Sequence, residues 1–347
     1  MKEKLKVYIG TFSTNLFSFL FDLETAEVED LHAIHDPGGR SAFLALDEAE
    51  KYLYSANEWM DGEGGIAAFR LVDGEDPVFL NYIPTNTQGP AHISTMKAYG
   101  QEYVLGSGYF DSDVVVCPIA EDGSLLPMSD NFKLAVAARA HSIKQVPGTN
   151  FVIIPDTMNG QVYTFEMMPG GKLEKRFVFE SPTLQNPRHL AFTKDAKTLL
   201  VLTEAVSTFE AFDINRETGE LTRIYSCSNL PEDFKEKSQS SAIHRSPDGR
   251  FVYLSNRGHN SITVFRLDGE EIEKVGYVTE GIDWPREFLI TPDGEYMIVG
   301  NQLLSTFSIY RMNHETGMPE YTGKTIPLPV EGPGPASFIS VPKTLDY

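Results

Sequence analysis

Short runs of β-branched, aromatic and leucine residues, broken every few positions by polar turn residues, fill this chain from end to end. Such runs predict strands rather than helices. They also recur. The clearest copies are Ser241-Ala-Ile-His-Arg-Ser-Pro-Asp-Gly-Arg-Phe-Val-Tyr-Leu-Ser-Asn and Pro285-Arg-Glu-Phe-Leu-Ile-Thr-Pro-Asp-Gly-Glu-Tyr-Met-Ile-Val-Gly-Asn. Weaker copies start at Ser41, Ala91, Ala140, Arg188 and Ala336. A period of about fifty residues filled with strand-like sequence is the signature of a β-propeller. Seven copies predict an all-β, seven-bladed β-propeller with four antiparallel strands per blade, in one domain over 1–347.

The unit from Pro285 shows how a blade is written. A first strand, Glu287 to Thr291, meets the tight turn Pro292-Asp-Gly, and a second runs from Tyr296 to Gly300. Thr306 to Met312 reads as the third strand, and Asn313-His-Glu-Thr-Gly turns the chain into the outermost one. The chain begins in mid-unit, with second, third and fourth strands at Lys6–Thr11, Leu16–Phe21 and Leu31–Ile34. The missing first strand is expected from Ala336 to Val341, so a C-terminal strand closes the N-terminal blade and removes a bare sheet edge. A polar insert at 230–239 is expected as a rim loop or lid, or as an idle surface loop.

Charge changes the picture. Forty-nine acidic against 29 basic residues give a net charge of −20, which argues against nucleic-acid or anionic-membrane partners. An anionic ligand would need a local cationic pocket, so arginines inside the repeat carry more information than surface ones. Cys117 and Cys227 read as free thiols of a reducing compartment. With no long apolar stretch and no signal-like start, the expectation is a cytoplasmic protein, monomeric or weakly homo-oligomeric. Serine-elbow, zinc-helix, phosphate-loop and dinucleotide motifs are all missing, so neither metal nor cofactor is expected.

Repeat geometry supplies the candidate site. Within a blade the first two strands are antiparallel, so the start of the first and the end of the second share a rim beside the axis. The starts give His92, His141, Arg188 with His189, and Arg286 with Glu287. The ends give Glu58, Asp156, Glu204, Asn256 with Arg257, and Asn301 with Gln302. Arginines, histidines and carboxylates at one mouth suit binding an anion and moving a proton. Each also has a structural alternative. The arginines can tie blades together through carbonyls, the histidines can be hydrogen-bonded core residues, Glu58 and Glu204 can bridge blades, and the asparagines can cap loops.

Tyr8-Ile-Gly-Thr, Pro187-Arg-His-Leu, the Ser246–Ile262 stretch and Gly334-Pro-Ala-Ser-Phe resemble the lactonase family of seven-bladed propellers. Its members include bacterial sugar-phosphate lactonases and a fungal muconate-cyclising enzyme. The resemblance implies a catalytic set of His141, Arg188, Glu204 and Arg257, and the rim registers add Arg286, His92, Glu58, Asn256 and Gln302 as expected substrate contacts. It further implies a small anionic sugar lactone, 6-phosphogluconolactone first among them, as substrate. Cyclisation of an unsaturated dicarboxylate and non-enzymatic binding are the alternatives. Two departures stand out: Ala138-Arg139-Ala140-His141 replaces a frequent His-Pro-His, and Thr203 replaces a frequent asparagine.

Overall fold

The computed structural model of the protein describes residues 4–59, 62–269 and 271–343. Among these, seven separate sheets of four strands form, and every strand pairing is antiparallel. Blade one runs from Ser41–Leu46 to Val78–Pro84 and blade six from Pro285–Ile290 to Pro319–Pro327. Blade seven joins Ser337–Lys343 to Lys4–Gly10, Asn15–Asp22 and Val28–His35. Tyr8 pairs with Ile339 and Lys6 with Val341, as the mid-unit start predicts. The core lies between blades: Phe19 of blade seven stacks on Phe307 of blade six with centroids 5.0 Å apart, and Phe338 packs edge-on to Phe307.

Closure has a measurable consequence. Truncation just before Ser337 removes the buried Phe338 and Val341 and bares the Lys4–Gly10 edge. Burial of those two side chains alone is worth at least about 3 kcal/mol. The expected result is a melting temperature lower by about 5–10 °C, read by circular dichroism. An unchanged transition would show that the ring does not depend on this strand.

The inner strands depart from regular pairing where they approach the rim. In four blades the ladder shifts by one residue, between Ser41 and Phe43, Pro187 and His189, Ser240 and Ile243, and Pro285 and Glu287. These β-bulges leave Ala42, Arg188, Ser241 and Arg286 out of the ladder and bend the strand locally. They also correct the sequence register: Pro187 and Ser240, one residue earlier than the copies at Arg188 and Ser241, join Pro285 as the partners equivalent to Ser41 and Ala140. Blade three has an inner strand of only Lys144–Gln145, plus an isolated Ala140–Asp156 bridge. Its facing strand carries Pro155, which has no N–H to donate, and the Ile143 N–H turns instead to His92 Nδ1 at 3.4 Å.

Candidate active site

Two successive residues at the end of each second strand do different work. The first closes the turn. Asn256 donates to Ser261 and Thr263 and accepts from Ser240, so its amide is fully engaged. Asn301 bonds Thr306 and Ser308 in the same way. Asp156 accepts from the Met158 and Asn159 N–H groups. Thr203 accepts from the Thr208 N–H at 2.8 Å, so its replacement of asparagine alters a turn rather than a ligand contact. The next residue is Glu58, Thr157, Glu204, Arg257 or Gln302. This register, together with the bulge residues, brings the charged groups to one mouth of the ring.

Their centre is an Arg–Glu–Arg cluster. Arg257 Nη2 donates to Glu204 Oε1 at 2.5 Å, and Arg188 Nε lies 3.8 Å from the same oxygen. Arg257 also donates to the Gln239 carbonyl of its own blade, and Arg188 to the Ser241 carbonyl of the next, so the Glu204 and Ser241 contacts tie the two guanidiniums across the boundary between blades four and five. Small residues, Ala42 and Ser241, occupy the equivalent bulges and leave room for the two long arginines from the same layer. Burial opposes ionisation of Glu204, but Arg188 and Arg257 outweigh it and hold the carboxyl below its usual range. Burial and the neighbouring Arg257 lower Arg188 to about 9, still cationic at neutral pH.

Beside this cluster lies a histidine nest. His141, Arg188, His189, Arg286 and Glu287 line one cavity at the axis, closed by Phe43 and three alanines. The His189 ring stands edge-on to His141 at 5.3 Å and to His92 at 5.5 Å. Burial, then repulsion from Arg188, drives His141 and His189 well below the ordinary histidine value, leaving neutral imidazoles. Buried Glu287 accepts from His244 at 2.6 Å and lies 4.0 Å from His189 Nδ1. His141 Nδ1 and Arg188 Nε are buried with no hydrogen-bond partner among the described residues.

Not every expected contact reaches this mouth. His92 is fully buried against Phe43 at 4.1 Å and accepts from a backbone N–H, so it is a core residue and not a ligand contact. Asn256 is likewise spent inside the turn. Glu58 and Gln302 do sit in the mouth-facing register, each almost fully buried. Burial raises the Glu58 carboxyl, against the pull of Arg286, Arg40 and Arg188. The 230–239 insert lies on the rim: Phe234 packs on His259 at 4.7 Å and Ser238 bonds the Arg257 carbonyl.

Arg40, Phe12, Tyr109 and Arg139 escape repeat reasoning because they lie in loops just outside the strands. Position alone points to two of them. Arg40 and Arg139 immediately precede the paired starts Ser41 and Ala140, and their carbonyls accept from Glu58 and Thr157. Arg139 stacks on Tyr109 and donates to its hydroxyl at 2.7 Å, while the Tyr109 ring packs on His141 at 4.9 Å. Among the described residues no three His, Cys, Asp or Glu side chains are grouped to hold a metal ion.

Ring and mouth define a β-propeller whose axial cavity combines fixed cations with neutral imidazoles. A family model described as "Lactonase, 7-bladed beta-propeller" matches residues 6–334, and the chain belongs to that family. It is 31% identical over 340 residues to the 6-phosphogluconolactonase of Bacillus subtilis (strain 168), covering 93% of this chain and 95% of that one. It is 25% identical over 335 residues to the 6-phosphogluconolactonase of Formosa agariphila, covering 90% and 93%. The solved periplasmic gluconolactonase PpgL of Pseudomonas aeruginosa shares the fold with a TM-score of 0.88 at 21% identity, over 97% of this chain and 99% of its own.

Proposed function

We propose that this protein hydrolyses 6-phosphogluconolactone to 6-phosphogluconate, with His141, Arg188, Glu204 and Arg257 as its working residues. The observation that carries the reading is the Arg188–Glu204–Arg257 cluster beside a neutral imidazole whose Nδ1 has no hydrogen-bond partner among the described residues. The likeness to two 6-phosphogluconolactonases supports the substrate.

In this reading the lactone carbonyl lies against the guanidiniums, which stabilise negative charge on its oxygen as water adds to carbon. His141 takes the proton of the attacking water. The ring C–O bond then breaks, and the imidazolium returns that proton to the leaving oxygen. A carboxylic acid and a hydroxyl result, with no net proton on the histidine, and the acid then releases its proton to solvent to give the carboxylate. Glu204 serves as positioning residue for the two arginines, since its oxygen is committed to Arg257. A cytoplasmic place in sugar-phosphate oxidation accompanies this substrate.

The test is initial-rate kinetics on phosphorylated and plain sugar lactones, with spontaneous hydrolysis subtracted. The expected result is saturable turnover, fastest for the phosphorylated lactone. No rate above background on any lactone would overturn the proposal and favour a non-enzymatic binding role. Arg257→Ala is expected to raise KM by roughly ten- to a hundredfold, the cost of about 1.5–3 kcal/mol for a lost charged hydrogen bond. A KM within twofold of wild type would show that Arg257 serves Glu204 and not the substrate.

A further inference from the structure

The mouth has a second cationic face, distinct from the Arg188–Glu204–Arg257 cluster. Arg286 Cζ lies 4.9 Å from the centroid of Phe12, and Arg40 Cζ lies 5.4 Å from the same ring and 5.6 Å from Trp59. Two guanidiniums thus share one aromatic ring, an arrangement that gains from cation–π attraction but sets like charges near each other. Their anchoring is unequal. Arg40 Nε donates to the Glu58 carbonyl at 2.7 Å, which fixes its stem and leaves its terminal nitrogens unused by that bond.

Arg286 makes no side-chain hydrogen bond or ion pair with the described residues, although it lines the same cavity as His141 and Arg188. The carboxylate acting on it most strongly is Glu58, whose own ionisation is opposed by burial. Burial and Arg257 lower Arg286 to about 10, so it remains a cation at neutral pH. A partly buried guanidinium without an acceptor calls for an anion from outside the chain.

Position around the ring says which anion. Arg286 belongs to blade six, Phe12 follows the Lys4–Gly10 strand of blade seven, and Arg40 leads into blade one. His141, Arg188, Glu204 and Arg257 come from blades three, four and five. The Phe12 face thus comes from blades six, seven and one and adjoins the reacting cluster through Arg286, which shares a cavity with His141 and Arg188, so a substrate reactive at one end and charged at the other fits across this mouth.

We propose, resting on the lactonase reading above, that Arg40 and Arg286, stacked on Phe12, form a second anion subsite that holds the phosphate at the end of the substrate remote from the reacting carbonyl. This subsite distinguishes phosphorylated from plain sugar lactones. Trp59 supports Arg40 from its other contact, and Phe12 acts as a positioning residue for both cations.

The test uses Arg40→Gln and Phe12→Leu, each checked for an unaltered thermal transition. Kd for 6-phosphogluconate and for gluconate is measured by titration calorimetry, and kcat/KM for the two corresponding lactones by initial rates. In Arg40→Gln the preference for the phosphorylated compound is expected to fall about tenfold or more. Phe12→Leu, which keeps the charge and removes the ring face, is expected to give a smaller loss in the same direction. A preference within twofold of wild type in both folded variants overturns the subsite. So does a collapse of preference in Arg139→Ala alone, which would move phosphate recognition to blade three. If wild type turns over no lactone yet loses its 6-phosphogluconate preference in Arg40→Gln, the subsite stands and the hydrolytic reading falls.

Discussion

His141→Asn is expected to lower kcat for lactone hydrolysis by about a hundredfold or more, with KM changed by less than about threefold. The argument is one of protonation and free lone pairs. Buried imidazole at this site is held neutral, first by burial and then by Arg188 and Arg286, so a ring nitrogen is ready to accept a proton. Glu204, by contrast, accepts from Arg257 at 2.5 Å and is pulled toward its ionised form by two arginines. A carboxylate so engaged is a poor base. Glu204→Gln should therefore act mainly through KM, by loosening Arg188 and Arg257, whereas His141→Asn acts through kcat. The pH profile gives an independent reading. Because the folded His141 titrates well below an ordinary histidine, wild-type kcat should stay level as pH falls through about 6.5 and decline only at more acid pH. A kcat that falls further in Glu204→Gln than in His141→Asn would make the carboxylate the base.

Stability should fall steeply in the same acid range. His92, His141 and His189 are all held well below the ordinary histidine value by burial, each aided by nearby cations. Above about pH 6.5 these histidines are neutral in both folded and unfolded chains and cost nothing. Below that pH the unfolded chain gains protons that the folded chain refuses, so the native state loses ground until its own low values are reached. Each such group contributes about 1.4 kcal/mol per pH unit in that window, or about 4 kcal/mol for three. Glu58, raised by burial, works in the opposite sense nearer its own range, and Glu204, held low, adds to the loss. Urea midpoints measured from pH 7.5 to 5.5 should drop sharply below 6.5. A flat midpoint over that range would mean that the three rings accept protons in the folded state.

The blade count, the strand order and the C-terminal closure were all legible in the chain, because each rests on a period of about fifty residues and on turn chemistry that repeats with it. Register within the inner strands was less legible. Alternation of side chains cannot fix pairing across a bulge, and so the copies at Arg188 and Ser241 were read one residue late. His92 and Asn256 were assigned to the mouth on position alone, and only packing reveals that Phe43 covers one and a turn consumes the other. Arg40 and Phe12 carry no repeat signal at all. They meet Arg286 only because ring closure brings the first strand beside the last blade.

The bulges at the inner-strand starts separate two kinds of inheritance. A side chain inside a ladder is tied to its partners, and exchanging it disturbs the sheet. Ala42, Arg188, Ser241 and Arg286 stand outside that obligation, yet they face the axis from blades one, four, five and six. Selection can rewrite these four positions while leaving the hydrogen-bonded frame intact. A propeller of this kind can therefore drift from one anionic substrate to another by exchanging a few residues at its hub, and relatives with the same ring need not share the same chemistry.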